Sequence, residues 1–329
     1  MRPFEYRRAA HSREAIALCT GPEEEAKLLA GGTDLIPLMK DGVLHPRRLV
    51  DIKRAADVPG DIRASDHGIT IGALATLADV ADHAAISSHA AMLAEAAQAA
   101  ATPQLRAMAT VGGNLLQRPR CWYYRNSHFH CWLAGGERCH AREGRNDRHA
   151  IFESDDENPC CAVHPSDLAP CLVALDAQVL LRDEDGAERA LPVEHLFAPP
   201  SPERRTETRL GREIVVEVRL PALSPGTRGC FRKAMSRSAW GFALSSVAAR
   251  VDLEDGRIAE ARLVLGGVAS VPWRARQAEQ ALRERSLAGD VVRRAADLAV
   301  ADARPLGHNA YKVPLTRGLV IEALDAMSR

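Results

Sequence analysis

The cysteines of this chain are concentrated in one segment, which makes that segment the candidate for metal or redox chemistry. Six of the eight lie within about fifty residues: Cys121, Cys131, Cys139, Cys160, Cys161 and Cys171. The stretch "NLLQRPRCWYYRNSHFHCWLAGGERCH", from Asn114 to His140, adds three histidines, two tryptophans and four arginines to a chain that is only 4% aromatic. The apolar neighbours of Cys171 predict that this cysteine belongs to the core.

The spacing of these cysteines matches none of the common short metal motifs. The successive intervals are 10, 8 and 21 residues for Cys121, Cys131, Cys139 and Cys160. A zinc ribbon or a thioredoxin-like pair would place two residues between cysteines, and a bacterial ferredoxin would show a clustered run. A site of four thiolates is compatible with the pattern. Zinc is its competitor, with the ligands Cys121, Cys131, Cys139 and either His140 or His149.

A first glycine pair lies in "LLAGGTDLI", between a predicted strand and a predicted helix. Gly31 and Gly32 carry no Cβ, so a phosphate oxygen could approach their backbone amides closely. Thr33 is expected to cap the helix, and Asp34 follows it. The alternative is a simple strand-to-helix turn without a ligand.

A second glycine pair lies in "ATVGGNLLQ", where Thr110 and Asn114 flank Gly112 and Gly113 with side chains that can bond oxygen atoms. A pyrophosphate has two faces, and two glycine loops could hold it from both sides. Neither loop is a GxGxxG fingerprint or a P-loop, because the third glycine of the one and the lysine of the other are missing.

The segment "HPSDLAP" supplies an acidic residue after a stiff proline. Asp167 could accept hydrogen bonds from ribose hydroxyl groups. An aspartate that caps a helix would have the same local sequence, so both interpretations stay open at this point.

Composition limits the classes of protein that this chain can represent. Its 329 residues, 46% hydrophobic, are enough for two or three folded domains. The 43 acidic residues balance the 43 basic residues, so no overall field attracts nucleic acid or an anionic membrane. No apolar run has the roughly 20 residues that membrane insertion needs, and "MRPFEYRRAAHS" is not a signal peptide. We therefore expect a cytoplasmic chain, or a periplasmic one exported together with a signal-bearing partner.

The predicted elements place each motif at the end of a strand or the beginning of a helix. "AKLLA" and "RRLVDI" are read as strands of a βαβ-like unit, whose helix ends near Gly42. "SSHAAMLAEAAQAAA" is read as one helix capped by Ser87 or Ser88. The turns "DEDG" and "EDG" predict two hairpins, and two amphipathic helices are expected to close the chain.

Taken together, these segments resemble the FAD-binding subunits of molybdenum hydroxylases, the xanthine dehydrogenase and carbon monoxide dehydrogenase flavoprotein family. The resemblance extends from "PFEYRRA" through "AGGTDLI", "ATVGGNLLQ", "HPSDLAP" and "FRKAMSRSAWGFALSSVAA" to "HNAYKVPLTRGLVIEAL". The motifs are short, but their set and their order are specific.

The resemblance implies an α+β fold. Residues 1–222 would form a PCMH-type FAD-binding domain of two α/β subdomains, about 1–55 and 56–222. Residues 223–329 would form a C-terminal domain like that of the carbon monoxide dehydrogenase flavoprotein, with a three-stranded sheet and helices.

The resemblance also assigns the cofactor residues. Those expected to hold the FAD pyrophosphate are Leu29, Ala30, Gly31, Gly32, Thr33, Asp34, Leu35, Ile36, Thr110, Gly112, Gly113 and Asn114, with Gln117 nearby. Asp167 would meet the adenosine ribose. Lys233 would lie near the flavin ring, where a cation favours the anionic reduced form. Lys233 could also be a surface lysine on a strand.

Many members of the family pass directly from the second glycine loop to the "SDL" element, whereas here residues 120–161 form a cysteine-rich insertion. This insertion is similar to the one that holds a [4Fe–4S] cluster in the flavin subunits of periplasmic aldehyde oxidoreductase and 4-hydroxybenzoyl-CoA reductase. The similarity implies the ligands Cys121, Cys131, Cys139 and Cys160. Cys160 is chosen over Cys161 because it lies four residues before the histidine of "HPSD". Arg118, Arg120 and Arg125 could offset the negative charge of such a cluster.

The implied function is electron transfer within a heterotrimeric molybdenum hydroxylase, with an aldehyde oxidoreductase favoured. A large partner would carry the molybdenum–molybdopterin cofactor and a small partner the [2Fe–2S] centres, and this chain would pass electrons through FAD to an external acceptor. No catalytic residue is assigned to this chain. The alternatives are a subunit of a xanthine dehydrogenase-like or hydroxybenzoyl-CoA reductase-like enzyme, a self-sufficient flavin reductase, and a zinc-stabilised interaction protein without catalytic activity.

Overall fold

The computed structural model describes residues 1–19, 25–152, 158–237 and 239–328, which form three sheets with helices packed around them. No helix among these residues is both long and apolar enough to cross a membrane. One hydrophobic core joins the first two sheets, and a second fills the C-terminal sheet and its helices.

The first sheet is parallel and has the strand order β1-β3-β2. Its strands are β1 (Glu5–Arg8), β2 (Ala26–Leu29) and β3 (Arg48–Asp51). Parallel neighbours need crossover connections, which contain the helices α1 (Ser12–Leu18) and α2 (Leu35–Lys40). The first glycine loop follows β2 directly and therefore lies at the carboxyl edge of this sheet, where ligands commonly bind.

The second sheet is antiparallel, with the order β4-β5-β8-β6-β7. Its strands are β4 (Ile62–Ser65), β5 (Gly68–Gly72), β6 (Gln178–Asp183), β7 (Glu188–Pro192) and β8 (Glu213–Pro221). The helices of this part are α3 (Leu77–Asp82), α4 (Ala84–His89), α5 (Ala91–Ala99), α6 (Pro103–Arg106), α7 (Val111–Leu115), α8 (Leu168–Ala174) and α9 (Val193–Leu196). Strand β8 contacts α1, which belongs to the first sheet, and α7, which contains the second glycine pair. This sheet therefore packs against both regions.

One predicted helix of this part is wrong. The alanine-rich run forms two helices, α4 and α5, with a break at Ala90, and Ser87 and Ser88 lie inside α4 instead of capping a longer helix. The Ser88 hydroxyl donates a hydrogen bond to the Ala85 carbonyl oxygen, which satisfies it within the helix.

The C-terminal sheet has the order β12-β11-β10-β9 and is antiparallel. Three long strands make up most of it, β9 (Thr227–Ala234), β10 (Ser245–Glu254) and β11 (Arg257–Gly266), and the fourth, β12 (Trp273–Arg274), has two residues. Its helices are α10 (Arg276–Leu282), α11 (Gly289–Ala299) and α12 (Lys312–Met327). The last helix, α12, was not among the predicted elements, although its sequence belongs to one of the family motifs.

Lys312 at the beginning of α12 is fully buried, and its Nζ donates a hydrogen bond to the Gly267 carbonyl oxygen at 2.8 Å. Burial lowers the pKa of this ammonium group from 10.5 to about 7. Between these two values the unfolded chain binds a proton that the folded chain does not, so the free energy of unfolding should rise with pH. The rise amounts to at most about 1.4 kcal/mol per pH unit.

Urea unfolding at pH 7.5 and pH 9.5 tests this prediction. The parent should gain free energy of unfolding over this interval relative to Lys312→Met, because methionine has no proton to release. An equal pH dependence in both chains would show that Lys312 is not the responsible group.

Candidate functional site

The two glycine loops lie in direct contact. A Cβ built on Gly31 would lie 1.9 Å from the carbonyl oxygen of Met108 and 3.2 Å from Cα of Ala109. Gly31 therefore allows the backbone of the first loop to touch the segment that leads into the second loop. Gly32 has a φ of +72°, in the region that favours glycine. The structure thus brings together two loops that are about eighty residues apart in the sequence.

The first loop presents unpaired backbone donors. In the described part of the chain, no acceptor bonds the backbone amides of Gly31, Gly32, Thr33 and Asp34. The helix α2 begins at Leu35 with Asp34 at its N-cap position and no capping side chain, so the predicted cap at Thr33 is wrong by one residue. Four successive free amides form an array of hydrogen-bond donors of the kind that binds phosphate.

The second loop has its amides already satisfied. The Gly112 amide donates to the Ala73 carbonyl oxygen at 2.9 Å, and the Gly113 amide donates to Oγ1 of Thr110 at 3.2 Å. Oδ1 of Asn114 accepts a hydrogen bond from the Ser166 hydroxyl at 2.6 Å. The backbone amides of Gly112 and Gly113 are therefore already bonded within the chain, and the second loop supports the first.

The remaining predicted pyrophosphate residues surround the free amides. Each of the residues 29–36 is partly exposed. Those with apolar side chains are Leu29, Ala30, Leu35 and Ile36. Free backbone donors beside apolar side chains suit a dinucleotide, so the residues present fit FAD. Gln117 lies next to the second loop, where its Nε2 donates to the Asn114 carbonyl oxygen at 2.9 Å.

Asp34 connects the first glycine loop to the cysteine-rich insertion. Its Oδ1 accepts from Arg125 at 2.6 Å and pairs with Arg120 at 3.0 Å, while its Oδ2 accepts from the Arg118 backbone amide at 2.8 Å. The Arg118 guanidinium is paired with Glu207 at 3.1 Å. The three arginines that were expected to offset a cluster charge thus share two carboxylates, Asp34 and Glu207, which leaves one positive charge in excess.

Asp167 and Lys233 form a buried ion pair with each other. The Lys233 Nζ lies 2.7 Å from Oδ2 of Asp167 and donates to the Ala99 carbonyl oxygen at 3.0 Å. The side chains are 3% and 6% exposed, respectively, so Lys233 is not a surface lysine. Burial raises the pKa of the Asp167 carboxyl group, and the ammonium group of Lys233 opposes that change. The predicted roles at the ribose and the flavin ring stay predictions.

Five cysteines converge in the insertion. Cys131 and Cys160 are buried in a small cluster with Tyr124, Trp132 and Leu38 of α2, and Cys121 packs against this cluster. The thiols of Cys139 and Cys161 lie 3.6 Å apart. His149 Nε2 lies 3.1 Å from Sγ of Cys121, whereas His140 contacts the His130 carbonyl oxygen. Of the two histidines considered for zinc, the structure therefore brings His149 to a predicted cysteine ligand.

The Cys139 thiol differs in pKa from its neighbours in the insertion. The hydrogen bond from Cys161 lowers the pKa of the Cys139 thiol to about 6. Burial raises the pKa of Cys121 to about 12 and that of Cys131 and Cys160 above the usual range, and the charge of Cys139 adds to each increase. Because the thiolate is the form that binds metal, Cys139 is the thiol most ready to do so.

No three His, Cys, Asp or Glu side chains in the described ranges stand in the arrangement that holds a single metal ion. A four-iron cube needs a wider set of thiolates than a single ion does. Five buried or half-buried thiols around one region fit the donor chemistry of such a cube. Cys171 is fully buried in the main core, as predicted.

The loop of residues 201–211 contacts the insertion, and this contact was not predicted. Arg205 donates two hydrogen bonds of 2.7 Å, to the carbonyl oxygens of Trp132 and Gly136, and lies over the Trp132 ring. Glu207 in the same loop is the buried partner of Arg118. The only signal in the sequence was the density of charges in "SPERRTETRLG", which reads as a solvated loop.

Two family models match the chain almost from end to end. Residues 2–223 match the FAD binding domain in molybdopterin dehydrogenase, and residues 230–327 match the CO dehydrogenase flavoprotein C-terminal domain.

The chain is similar to known proteins over almost the whole length of both sequences. The chain is 35% identical to the aldehyde oxidoreductase FAD-binding subunit PaoB of Escherichia coli (strain K12), over 98% of each chain. It is 26% identical to the glyceraldehyde dehydrogenase medium chain of Sulfolobus acidocaldarius, over 99% of this chain and 98% of the relative. Among solved structures, carbon monoxide dehydrogenase from Hydrogenophaga pseudoflava matches with a TM-score of 0.77 and 26% identity, over 99% of this chain and 97% of that one.

These matches agree with the predicted fold. The predicted α+β architecture, an FAD-binding domain followed by a flavoprotein C-terminal domain, is confirmed. The relatives are subunits of oxidoreductases and dehydrogenases. The chain belongs to the family of FAD-binding subunits of molybdenum hydroxylases.

Proposed function

We propose that this chain carries FAD and a [4Fe–4S] cluster as the electron-transfer subunit of a heterotrimeric molybdenum hydroxylase of the aldehyde oxidoreductase type. The observation that carries the proposal is the junction at Asp34. Its backbone amide belongs to the free donor array, and its carboxylate holds the insertion that contains the converging cysteines. Asp34 would therefore connect the proposed flavin site to the proposed cluster site.

The flavin, when bound, supplies two-electron storage and one-electron exchange. The chain's own residues bind and orient it. The free amides of Gly31 to Asp34 would bond the pyrophosphate, with Asn114 of the second loop beside them. Asp167 would meet the ribose and Lys233 the ring, after the ion pair between them rearranges. These assignments are part of the proposal.

The cluster ligands we propose are Cys121, Cys131, Cys139 and Cys160. Support comes from the convergence of their thiols and from the apolar surroundings of Cys131 and Cys160, which limit access of water. The contact between His149 and Cys121 favours a competing zinc site of three cysteines and His149. Iron and zinc make different predictions for colour and for acid-labile sulfide.

The proposed partners are a large subunit with the molybdopterin cofactor and a small subunit with [2Fe–2S] centres. Substrate oxidation would take place on the large subunit, and an external acceptor would take electrons from this chain. The similarity to an aldehyde oxidoreductase subunit supports an aldehyde substrate. A xanthine dehydrogenase-like or hydroxybenzoyl-CoA reductase-like complex is the alternative. We also propose the division of the chain at residue 222.

Anaerobic purification of the whole complex tests the cofactor content. We expect one FAD, with four irons and four acid-labile sulfides in this chain, and a yellow-brown colour. The separated chain should keep FAD and lose aldehyde oxidation. A colourless chain with stoichiometric zinc would refute the cluster, and aldehyde oxidation by the single chain would refute the role as a subunit.

The adjacent pair Cys160 and Cys161 offers a matched test of the fourth ligand. Cys160→Ser should lose most of the cluster iron, because its sulfur lies among the aromatic residues that enclose Cys131. Cys161→Ser should keep the iron, because its thiol bonds Cys139 and is not needed as a ligand. Iron and sulfide analysis of both variants identifies the fourth ligand. Loss of iron in Cys161→Ser, with full iron in Cys160→Ser, would assign Cys161 instead.

A further inference from the structure

His149 is a buried side chain whose polar contact is with a sulfur atom. Its Nε2 lies 3.1 Å from Sγ of Cys121, and the residue is 2% exposed. The ring packs edge-on against Trp122, with ring centroids 5.0 Å apart. Its other ring nitrogen, Nδ1, has no hydrogen-bond partner within the described ranges. The imidazole is thus buried, and Cys121 is the hydrogen-bond partner that the described residues give its ring nitrogens.

The C-terminal domain holds the segment that carries His149. The Nδ2 group of Asn309 donates to the carbonyl oxygens of His149, at 3.2 Å, and Ala150, at 3.0 Å. Asn309 is fully buried, so these bonds are shielded from water. They fix the backbone at His149 and Ala150.

Two further contacts secure the same segment. The Tyr311 hydroxyl donates to the Asp147 carbonyl oxygen at 2.8 Å, and the His308 backbone amide donates to Oδ1 of Asn146 at 2.9 Å. The residues just before α12 therefore form hydrogen bonds with the insertion from residue 146 to residue 150.

The direction of the hydrogen bond follows from the chemistry of a ligand thiolate. A metal-bound thiolate has lone pairs and no proton, so it can only accept. A neutral imidazole carries one N–H, and an N–H buried without an acceptor is costly. The tautomer with its proton on Nε2 satisfies both groups.

We propose that His149 donates a hydrogen bond to the Cys121 thiolate and thereby raises the reduction potential of the cluster, and that Asn309 is its positioning residue. This inference rests on the proposed [4Fe–4S] site. Reduction adds negative charge to the cluster and its sulfur ligands, and an N–H donor stabilises the more negative state. Loss of the donor should make the cluster harder to reduce.

The test is a redox titration of the cluster in the intact complex, followed by electron paramagnetic resonance. In His149→Leu the ratio of reduced to oxidised cluster at a fixed potential should fall by about tenfold. This change equals a lowering of the midpoint by about 59 mV for a one-electron couple. His149→Gln keeps an N–H donor and should recover part of the shift, and Asn309→Ala should lower the midpoint by less than His149→Leu.

His140→Gln is the matched control, because His140 belongs to the same insertion and contacts a carbonyl oxygen instead of a cysteine. Its midpoint should equal that of the parent. An unchanged midpoint in His149→Leu with full iron would overturn the inference. Loss of iron from both His149 variants would also overturn it, because His149 would then be a ligand. A parent chain that, once separated from its partners, contains neither iron nor sulfide would overturn the cluster and this inference together, and its iron and sulfide content is measured before any variant is made.

Discussion

Gly31→Ala is expected to fold and to lose FAD, with an affinity at least about a hundredfold lower than that of the parent, or about 2.7 kcal/mol. The new methyl group would lie 1.9 Å from the Met108 carbonyl oxygen, which is part of the backbone and cannot rotate away. The two loops must then separate, and the four free amides of the first loop lose their common geometry. Flavin absorbance after desalting and fluorescence titration with FAD measure the effect.

Gly211→Ala is the control for this variant. A Cβ at Gly211 would meet nothing within 4 Å, so its FAD content should match that of the parent. Unfolding curves of the FAD-free chains separate a loss of binding from a loss of fold. Parent-like FAD content in Gly31→Ala would show that the contact between the loops is not needed for the cofactor.

Much of the fold could be predicted because its signals are local. The strand–glycine–helix pattern around Gly31 depends on neighbouring residues alone, and so do the turns of the hairpins. β2, α2 and the hairpin β10–β11 are therefore found where the patterns predicted them. The break between α4 and α5 at Ala90 was not predictable in this way, because alanine favours helix wherever tertiary packing permits it.

The hydrogen bonds and ion pairs of the site could not be predicted, because they join segments that are distant in the sequence. Asp34 meets Arg120 and Arg125 across about ninety residues, and nothing in its own loop indicates arginine partners. The pattern around Asn309 likewise does not show that its side chain will hold the backbone of His149. Periodicity reports which face of an element is buried, and it does not report which polar groups meet there.

Lys233→Met is expected to lower the free energy of unfolding by about 3–5 kcal/mol, because it leaves the Asp167 carboxylate buried without its counter-charge. The pair is almost fully buried, at an N–O distance of 2.7 Å. The exposed pair Arg212–Glu184, with side chains 70% and 42% exposed, provides the comparison. Arg212→Met should change the free energy of unfolding by less than about 1 kcal/mol. Urea denaturation of the FAD-free chains, followed by tryptophan fluorescence, measures both.

The double variant Lys233→Met with Asp167→Leu separates structure from cofactor binding. Two apolar side chains of similar size should restore most of the lost free energy of unfolding, since no unpaired charge remains. If the pair opens to meet the ribose and the flavin ring, the restored chain should still bind FAD poorly. Recovery of both stability and FAD would make the ion pair purely structural and would remove Asp167 and Lys233 from the cofactor site. A single Lys233→Met variant as stable as the parent would mean that Asp167 is neutral in the folded chain, because only an uncharged carboxyl group could stay buried there alone without cost.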